Sequence, residues 1–192
     1  MQDFWLYFSL GREHIADLAG YDHILFVAAL CLGYLPKDWK KLLVLVTAFT
    51  VGHSITLALS VLNIIEVSSK WIEFLIPVTI VITAIASTYR KPGIRQRMSP
   101  IYLLTVMFGL IHGLGFSNYL KSLLGKNDSI VSDLLAFNLG LEFGQVLIVA
   151  AILLLSYICL PILKINEKVF ILFTAGAIFG VAFLMAVQRF PL

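Results

Sequence analysis

Residues 42–62 read LLVLVTAFTVGHSITLALSVL, a run of 21 residues without Asp, Glu, Lys or Arg. A helix of about 20 apolar residues is long enough to cross a hydrocarbon core about 30 Å thick. A strand of a membrane β-barrel is only about 10 residues long and alternates apolar with polar side chains. This run is longer and more evenly apolar, so it predicts a transmembrane helix.

Five more apolar runs occur along the chain, separated by short polar segments. Since a backbone in lipid must satisfy its own hydrogen bonds, all of them are predicted to be helical. The sequence thus predicts an all-α, multi-pass membrane protein, a bundle of six transmembrane helices that forms one domain over residues 1–192. No removable signal peptide is expected at the N-terminus. The predicted spans are residues 14–34, 42–62, 71–89, 101–119, 134–160 and 168–188.

The composition excludes other classes of protein. The chain is 60% apolar and 13% charged, whereas a soluble domain is about 45–50% apolar and about 25% charged. The net charge is only +3 and no basic run is interleaved with aromatic residues, which excludes a nucleic-acid partner. The two Cys lie in apolar runs, which excludes a disulfide scaffold. Membrane lipid is therefore an expected partner.

The distribution of Lys and Arg predicts the orientation. Cytoplasmic loops carry an excess of these residues. The segments after the first, third and fifth spans hold nine of them, and the other side holds five. Both termini are therefore predicted to lie outside, in the inner or plasma membrane. The nine are Lys37, Lys40, Lys41, Arg90, Lys91, Arg95, Arg97, Lys164 and Lys168.

Three spans contain pairs of glycines four residues apart, which let helix backbones approach closely in lipid. Such pairs predict tight helix packing and say nothing about chemistry. The pairs are Gly109 and Gly113, Gly140 and Gly144, and Gly176 and Gly180.

Several ionisable residues lie inside the spans, where each costs a few kcal/mol. By the helical rise, Asp22 and His23 lie about 12–14 Å below the outer surface, and Glu142 about 12 Å below it. His53 and His112 lie about 16 Å above the inner surface. All five are then near one plane, slightly outside the middle of the membrane. Interhelical hydrogen bonding is the structural alternative for a single histidine, but five such residues at one depth predict a shared polar site.

The residue types indicate what this site holds. Imidazole with carboxylate suits nickel, cobalt, zinc or iron, whereas copper(I) prefers sulfur ligands. Cys31 lies about 12 Å from the depth of His23, and Cys159 is near the inner end of its span. A divalent transition-metal ion is therefore the expected occupant, and a proton relay without metal is the alternative. Neutral imidazole is the ligand, so binding should weaken in acid. The predicted metal ligands are Asp22, His23, His53, His112 and Glu142, supported by Ser54, Asn138 and Gln145.

Four segments resemble the HupE/UreJ family of hydrogenase and urease accessory membrane proteins. They are EHIADLAGYDHILF at 13–26, TAFTVGHSITLALS at 47–60, FGLIHGLGFS at 108–117 and FNLGLEFGQ at 137–145. The resemblance implies a small polytopic permease for nickel or cobalt. By position it implies that the metal-related residues are His14, Asp22, His23, His53, His112 and Glu142.

The chain departs from the family pattern at His14. Better-studied members have five residues between this histidine and the Asp-His pair, and here there are seven. On an unbroken helix, His14 and His23 would point in nearly opposite directions. Either Gly20 interrupts the helix, or His14 lies in a non-helical mouth. We favour the mouth, which would make His14 an outer gate and not a ligand.

Three functions are compatible with these features. The first is a metal permease, which would not hydrolyse ATP itself because the sequence has no P-loop. The second is a zinc-dependent intramembrane hydrolase or acyl transferase acting on a lipid or lipoprotein, with Glu142 as general base and Ser54 positioning the substrate. The third is a non-catalytic assembly partner or metal sensor. A bundle of this size is small, and a homo-oligomer is compatible with all three.

Overall fold

The computed structural model describes residues 2–18, 20–89, 98–124 and 130–191, and every regular element in these ranges is helical. A 3₁₀ turn at Pro36–Asp38 precedes the third helix, and a π turn at Ile158–Ile162 follows the sixth. The α-helices are α1 (Gln2–Ala16), α2 (Asp22–Cys31), α3 (Trp39–Val61), α4 (Ser69–Thr88), α5 (Met98–Leu124), α6 (Ile130–Tyr157) and α7 (Glu167–Gln188).

Four of the described helical segments are long and apolar enough to cross a membrane. They coincide with the second, third, fifth and sixth predicted spans. The fourth predicted span contains a shorter apolar stretch, Ile101–Ser117, within α5. The all-helical prediction is confirmed for the described residues. The number of six spans and the position of both termini stay predictions, and the stretch Arg90 to Arg97 lies outside the described residues.

The first predicted span, residues 14–34, is wrong as a continuous helix. Helix α1 ends at Ala16 and α2 begins at Asp22, with Gly20 in the break between them. His14 lies in the last turn of α1, so the predicted non-helical mouth is also wrong. The structure instead shows the other alternative, a helix that is interrupted near Gly20. Because the helix is interrupted, the angle per residue cannot be counted from His14 to His23, and their ring centroids lie 4.6 Å apart.

Helices α3 and α5 pack backbone against backbone. A Cβ atom added at Gly52 would overlap the carbonyl oxygen of Val106, and one added at Gly109 would overlap the carbonyl oxygen of Phe49. Only glycine allows this approach, because any side chain would push the two helices apart. The close contact therefore fixes the position of α5 relative to α3.

Helices α1 and α6 make the same kind of contact. In both helix pairs, each glycine meets the carbonyl oxygen of the residue three positions before the glycine of the partner helix. A Cβ atom at Gly11 would overlap the carbonyl oxygen of Phe137, and one at Gly140 would overlap that of Phe8. Gly144 follows Gly140 as Gly113 follows Gly109, and both are closed in by the partner helix. Two of the predicted glycine pairs thus mediate helix packing. We call these contacts the glycine interlocks.

The third glycine pair behaves differently. A Cβ atom at Gly176 or Gly180 of α7 would have no atom within 4 Å. The expectation that this pair packs tightly is wrong for the single chain, because α7 packs on α4 through another face. The glycine spacing alone does not reveal which side of a helix faces a neighbour.

We expect Gly52→Ala to lower the melting temperature of the detergent-solubilised protein by several degrees. The added methyl group overlaps Val106, and overpacking costs about 1–3 kcal/mol. Gly176→Ala is the matched control, since the same substitution meets open space there and improves helix propensity. Differential scanning fluorimetry would measure both. Equal melting temperatures for the two variants would contradict the interlock.

Candidate metal centre

Three histidines from three different helices come together where α1 ends, α2 begins and α3 passes its midpoint. One ring nitrogen of each of His14, His23 and His53 lies within 4.8 Å of the other two. The ring centroids are 4.6 Å apart for His14 and His23, and 6.0 Å apart for His14 and His53. Nitrogens that share a tetrahedral metal ion at about 2.0–2.1 Å are closer, about 3.3 Å apart. A small movement of the rings would therefore bring them to coordinating distance. We call these residues the histidine group.

His23 and His53 are buried and His14 is half-buried, and most of their ring nitrogens lack a protein partner. His53 is 0% exposed and His23 is 5% exposed. Both ring nitrogens of His53 are buried without a hydrogen bond, as is Nε2 of His14 and of His23. A buried polar atom without a partner costs about 1–3 kcal/mol. A neutral imidazole nitrogen is also the commonest protein ligand for a metal ion, so the group has the chemistry of a metal site.

His112 lies beside the histidine group on α5. Its ring centroid is 5.2 Å from that of His23, and the ring is 1% exposed. Its Nδ1 lies 2.9 Å from the carbonyl oxygen of Phe108. With Nδ1–H donating to that oxygen, Nε2 is left as an acceptor or ligand, and it is buried without a partner. A backbone carbonyl often fixes a metal-binding histidine in this way.

Asp22 is placed next to a histidine instead of among the ring nitrogens. One carboxylate oxygen, Oδ1, lies 3.2 Å from Nδ1 of His23. The other, Oδ2, lies 3.5 Å from Nη1 of Arg189 at the end of α7. A carboxylate behind a histidine orients the ring and makes it a better metal ligand. The geometry therefore suits Asp22 as the partner of a ligand.

Glu142 is placed against Thr47, away from the histidine group. The Thr47 hydroxyl donates to Oε1 of Glu142 over 2.6 Å. Thr47 precedes His53 by six residues, about 9 Å along α3. Helix α6 begins at Ile130, four residues before the predicted span. The way α6 crosses α3 cannot be read from spacing.

The three supporting residues make hydrogen bonds of their own. Gln145 accepts from the hydroxyl of Thr50 over 2.8 Å. Asn138 donates to the carbonyl oxygen of Leu134, and Ser54 donates to that of Thr50. Asn138 and Ser54 thus bind within their own helices, whereas Gln145 links α6 to α3.

Aromatic rings surround the histidine group. The ring of Phe116 lies 3.8 Å from that of His14, and Phe137 stacks on His53 at 6.4 Å. On the other side Phe49 lies 5.1 Å from His112. These rings lower the polarity around the site and so strengthen electrostatic interactions inside it.

A cavity of about 920 Å³ adjoins His14. Its polar wall contains Glu13, His14 and Asp17, and its apolar wall includes Leu147 and Ala151 of α6. No role for Glu13 or Asp17 was predicted from the sequence. Their position beside His14 in the segment EHIAD was the signal that could have identified them.

A family model described as HupE / UreJ protein matches residues 1–189. No curated protein matches the chain, and no solved structure matches it.

Proposed function

Because the chain belongs to the HupE/UreJ family, we propose that it is a permease for a divalent transition-metal ion, with nickel or cobalt favoured. The observation that carries this proposal is the histidine group, in which buried ring nitrogens from three helices lack partners. Zinc fits the same donors and is the third candidate ion.

In this proposal His14, His23 and His53 bind the ion, and His112 supplies a fourth nitrogen from α5. Asp22 holds His23 in place and contributes negative charge beside a divalent cation. The break between α1 and α2 supports a transport role, because secondary transporters commonly build their sites at interrupted helices near the middle of the membrane.

The cavity at His14 supports a route by which the ion reaches the site. Glu13 and Asp17 line it, and carboxylates attract a cation before imidazole binds it. Without a P-loop, transport would follow the metal gradient, the membrane potential or proton exchange. The potential contributes about 4.6 kcal/mol per 100 mV for a divalent ion, twice the value for one charge.

Uptake into proteoliposomes tests the proposal. Purified protein is reconstituted with a metal-sensitive dye inside the vesicles, and Ni²⁺, Co²⁺ or Zn²⁺ is added outside. We expect dye quenching that exceeds that of empty vesicles and increases with an inside-negative potential. Quenching equal to that of empty vesicles for all three ions would refute the permease.

A zinc-dependent intramembrane hydrolase or acyl transferase remains the second candidate, because one wall of the cavity at His14 is apolar. A lipid chain fits such a wall better than a hydrated ion does. This enzyme would retain one zinc ion through purification and would release fatty acid from phospholipid vesicles, which mass spectrometry detects. Release of fatty acid without metal uptake would replace the permease with the enzyme.

We propose further that the protein lies in the plasma membrane with both termini outside. With Cys31 and Cys159 replaced by Ala, we expect a membrane-impermeant maleimide to label Lys70→Cys in intact cells. Lys40→Cys lies at the start of α3, at the opposite end of that helix from Lys70. It should react only after permeabilisation. The reverse pattern would invert the orientation.

A further inference from the structure

Four polar side chains form a line between α3 and α6 that starts next to the histidine group. The Thr50 hydroxyl donates to Gln145 over 2.8 Å, and the Thr47 hydroxyl donates to Glu142 over 2.6 Å. Thr50 and Thr47 precede His53 by about 4.5 and 9 Å along α3. We call these four residues the polar seam.

Burial decreases along the polar seam. Gln145 is 0% exposed and Thr50 is 6% exposed. Glu142 is half-buried and Thr47 is exposed. The seam therefore connects the buried histidine group with the surface of the helical bundle, in the direction of Lys40 at the start of α3.

Gln145 carries a polar atom that helix packing does not explain. Its Nε2 is buried without a hydrogen-bond partner. The Thr50 hydroxyl also lies 3.2 Å from the carbonyl oxygen of Val46. With the amide turned over, Nε2 donates to Thr50, the Thr50 hydroxyl donates to Val46, and Oε1 of Gln145 is left free. In that orientation a buried carbonyl oxygen has no partner except an incoming ligand.

The donor atoms of the polar seam are all oxygens: two hydroxyls, one amide carbonyl and one carboxylate. Oxygen donors suit harder cations, whereas imidazole suits nickel, cobalt and zinc. An ion that leaves the histidine group needs a site that binds it more weakly, because conduction requires binding that permits departure. A weaker oxygen site directly beside a nitrogen site meets this requirement.

We propose that the polar seam is a second cation site, through which a divalent ion leaves the histidine group. The ion binds to the Gln145 carbonyl and the Thr50 hydroxyl, and then to the Glu142 carboxylate. This inference rests on the proposed permease function, but the seam's ability to bind a cation is testable on its own.

The first experiment measures binding alone. Mn²⁺ prefers oxygen ligands, so it is the probe, and electron paramagnetic resonance measures its binding to purified protein. In a His23→Ala, His53→Ala background, Gln145→Glu should bind one equivalent of Mn²⁺ at least tenfold more tightly than Gln145 does. Adding Glu142→Gln should reverse the gain. Equal Mn²⁺ affinity with and without Gln145→Glu, in protein that elutes as a single folded species, would overturn the second site.

The second experiment separates binding from release. Gln145→Leu should retain metal on the histidine group as the wild type does, while its uptake rate falls at least tenfold. Thr83→Val is the matched control, because Thr83 is equally buried and donates only within α4; its uptake should be unchanged. Wild-type uptake by Gln145→Leu would overturn the release role. Loss of metal from the histidine group would make Gln145 a supporting residue of the first site and would overturn the proposal as well.

Discussion

His53→Gln should abolish metal retention and reduce metal uptake more than 100-fold. His53 is fully buried and both of its ring nitrogens lack protein partners, so metal coordination is the role that its position supports. Loss of a residue that merely supports a ligand costs about 10–100-fold in metal affinity, and loss of a ligand should cost more. Gln is used because it preserves most of the side-chain volume and avoids a cavity.

Elemental analysis and vesicle uptake on the same preparation measure this effect. Ser87→Ala is the control, since Ser87 is equally buried and donates only to the backbone of α4. His53→Gln protein that elutes as folded and still retains one metal ion would remove His53 from the site, and with it the geometric basis of the permease.

Asp22→Asn should weaken metal retention by about 10–100-fold, the range observed for carboxylates that orient a metal-binding histidine. The reason is the 3.2 Å contact between Asp22 and His23. Asn keeps the shape of the side chain and removes its charge. Competition with a metal chelator measures the change in affinity.

Arg189→Gln is the matched control for Asp22→Asn. Arg189 contacts the other oxygen of the same carboxylate at 3.5 Å and is about one-third exposed. Its removal leaves the contact with His23 intact, so we expect a change of less than threefold. An effect of Arg189→Gln as large as that of Asp22→Asn would mean that the charge balance, and not the orientation of His23, controls binding.

The sequence allowed accurate prediction of those features that depend mainly on one physical quantity. Long uninterrupted apolar runs such as 42–62 gave the helical spans, because transfer to lipid outweighs everything else at that length. The prediction that His23, His53 and His112 lie at one depth also depended on one quantity, the rise per residue. The structure places the ring of His23 6.3 Å from that of His53 and 5.2 Å from that of His112, and their role as metal ligands stays a prediction.

The failures have physical causes as well. Helix α1 was not predicted because Asp3, Arg12 and Glu13 interrupt its apolar pattern. Its buried face nevertheless packs against α6, with Gly11 on Phe137 and Ile15 on Gly144. Its existence depends on that partner. The partner of Glu142 depends on where α6 crosses α3, which is a tertiary property. Neither could be obtained from local sequence.

The glycine interlocks group four helices of the bundle into two tightly packed pairs. We expect helices α3 and α5 to move as one body, and α1 and α6 as another, because sliding within either pair would bring the two backbones into collision. His53 and His112 belong to the first body and His14 to the second. Rocking that moves one body away from the other would lengthen the distance between His14 and His53 while both bodies keep their shape, and a bound ion would then lose a ligand without any helix unwinding.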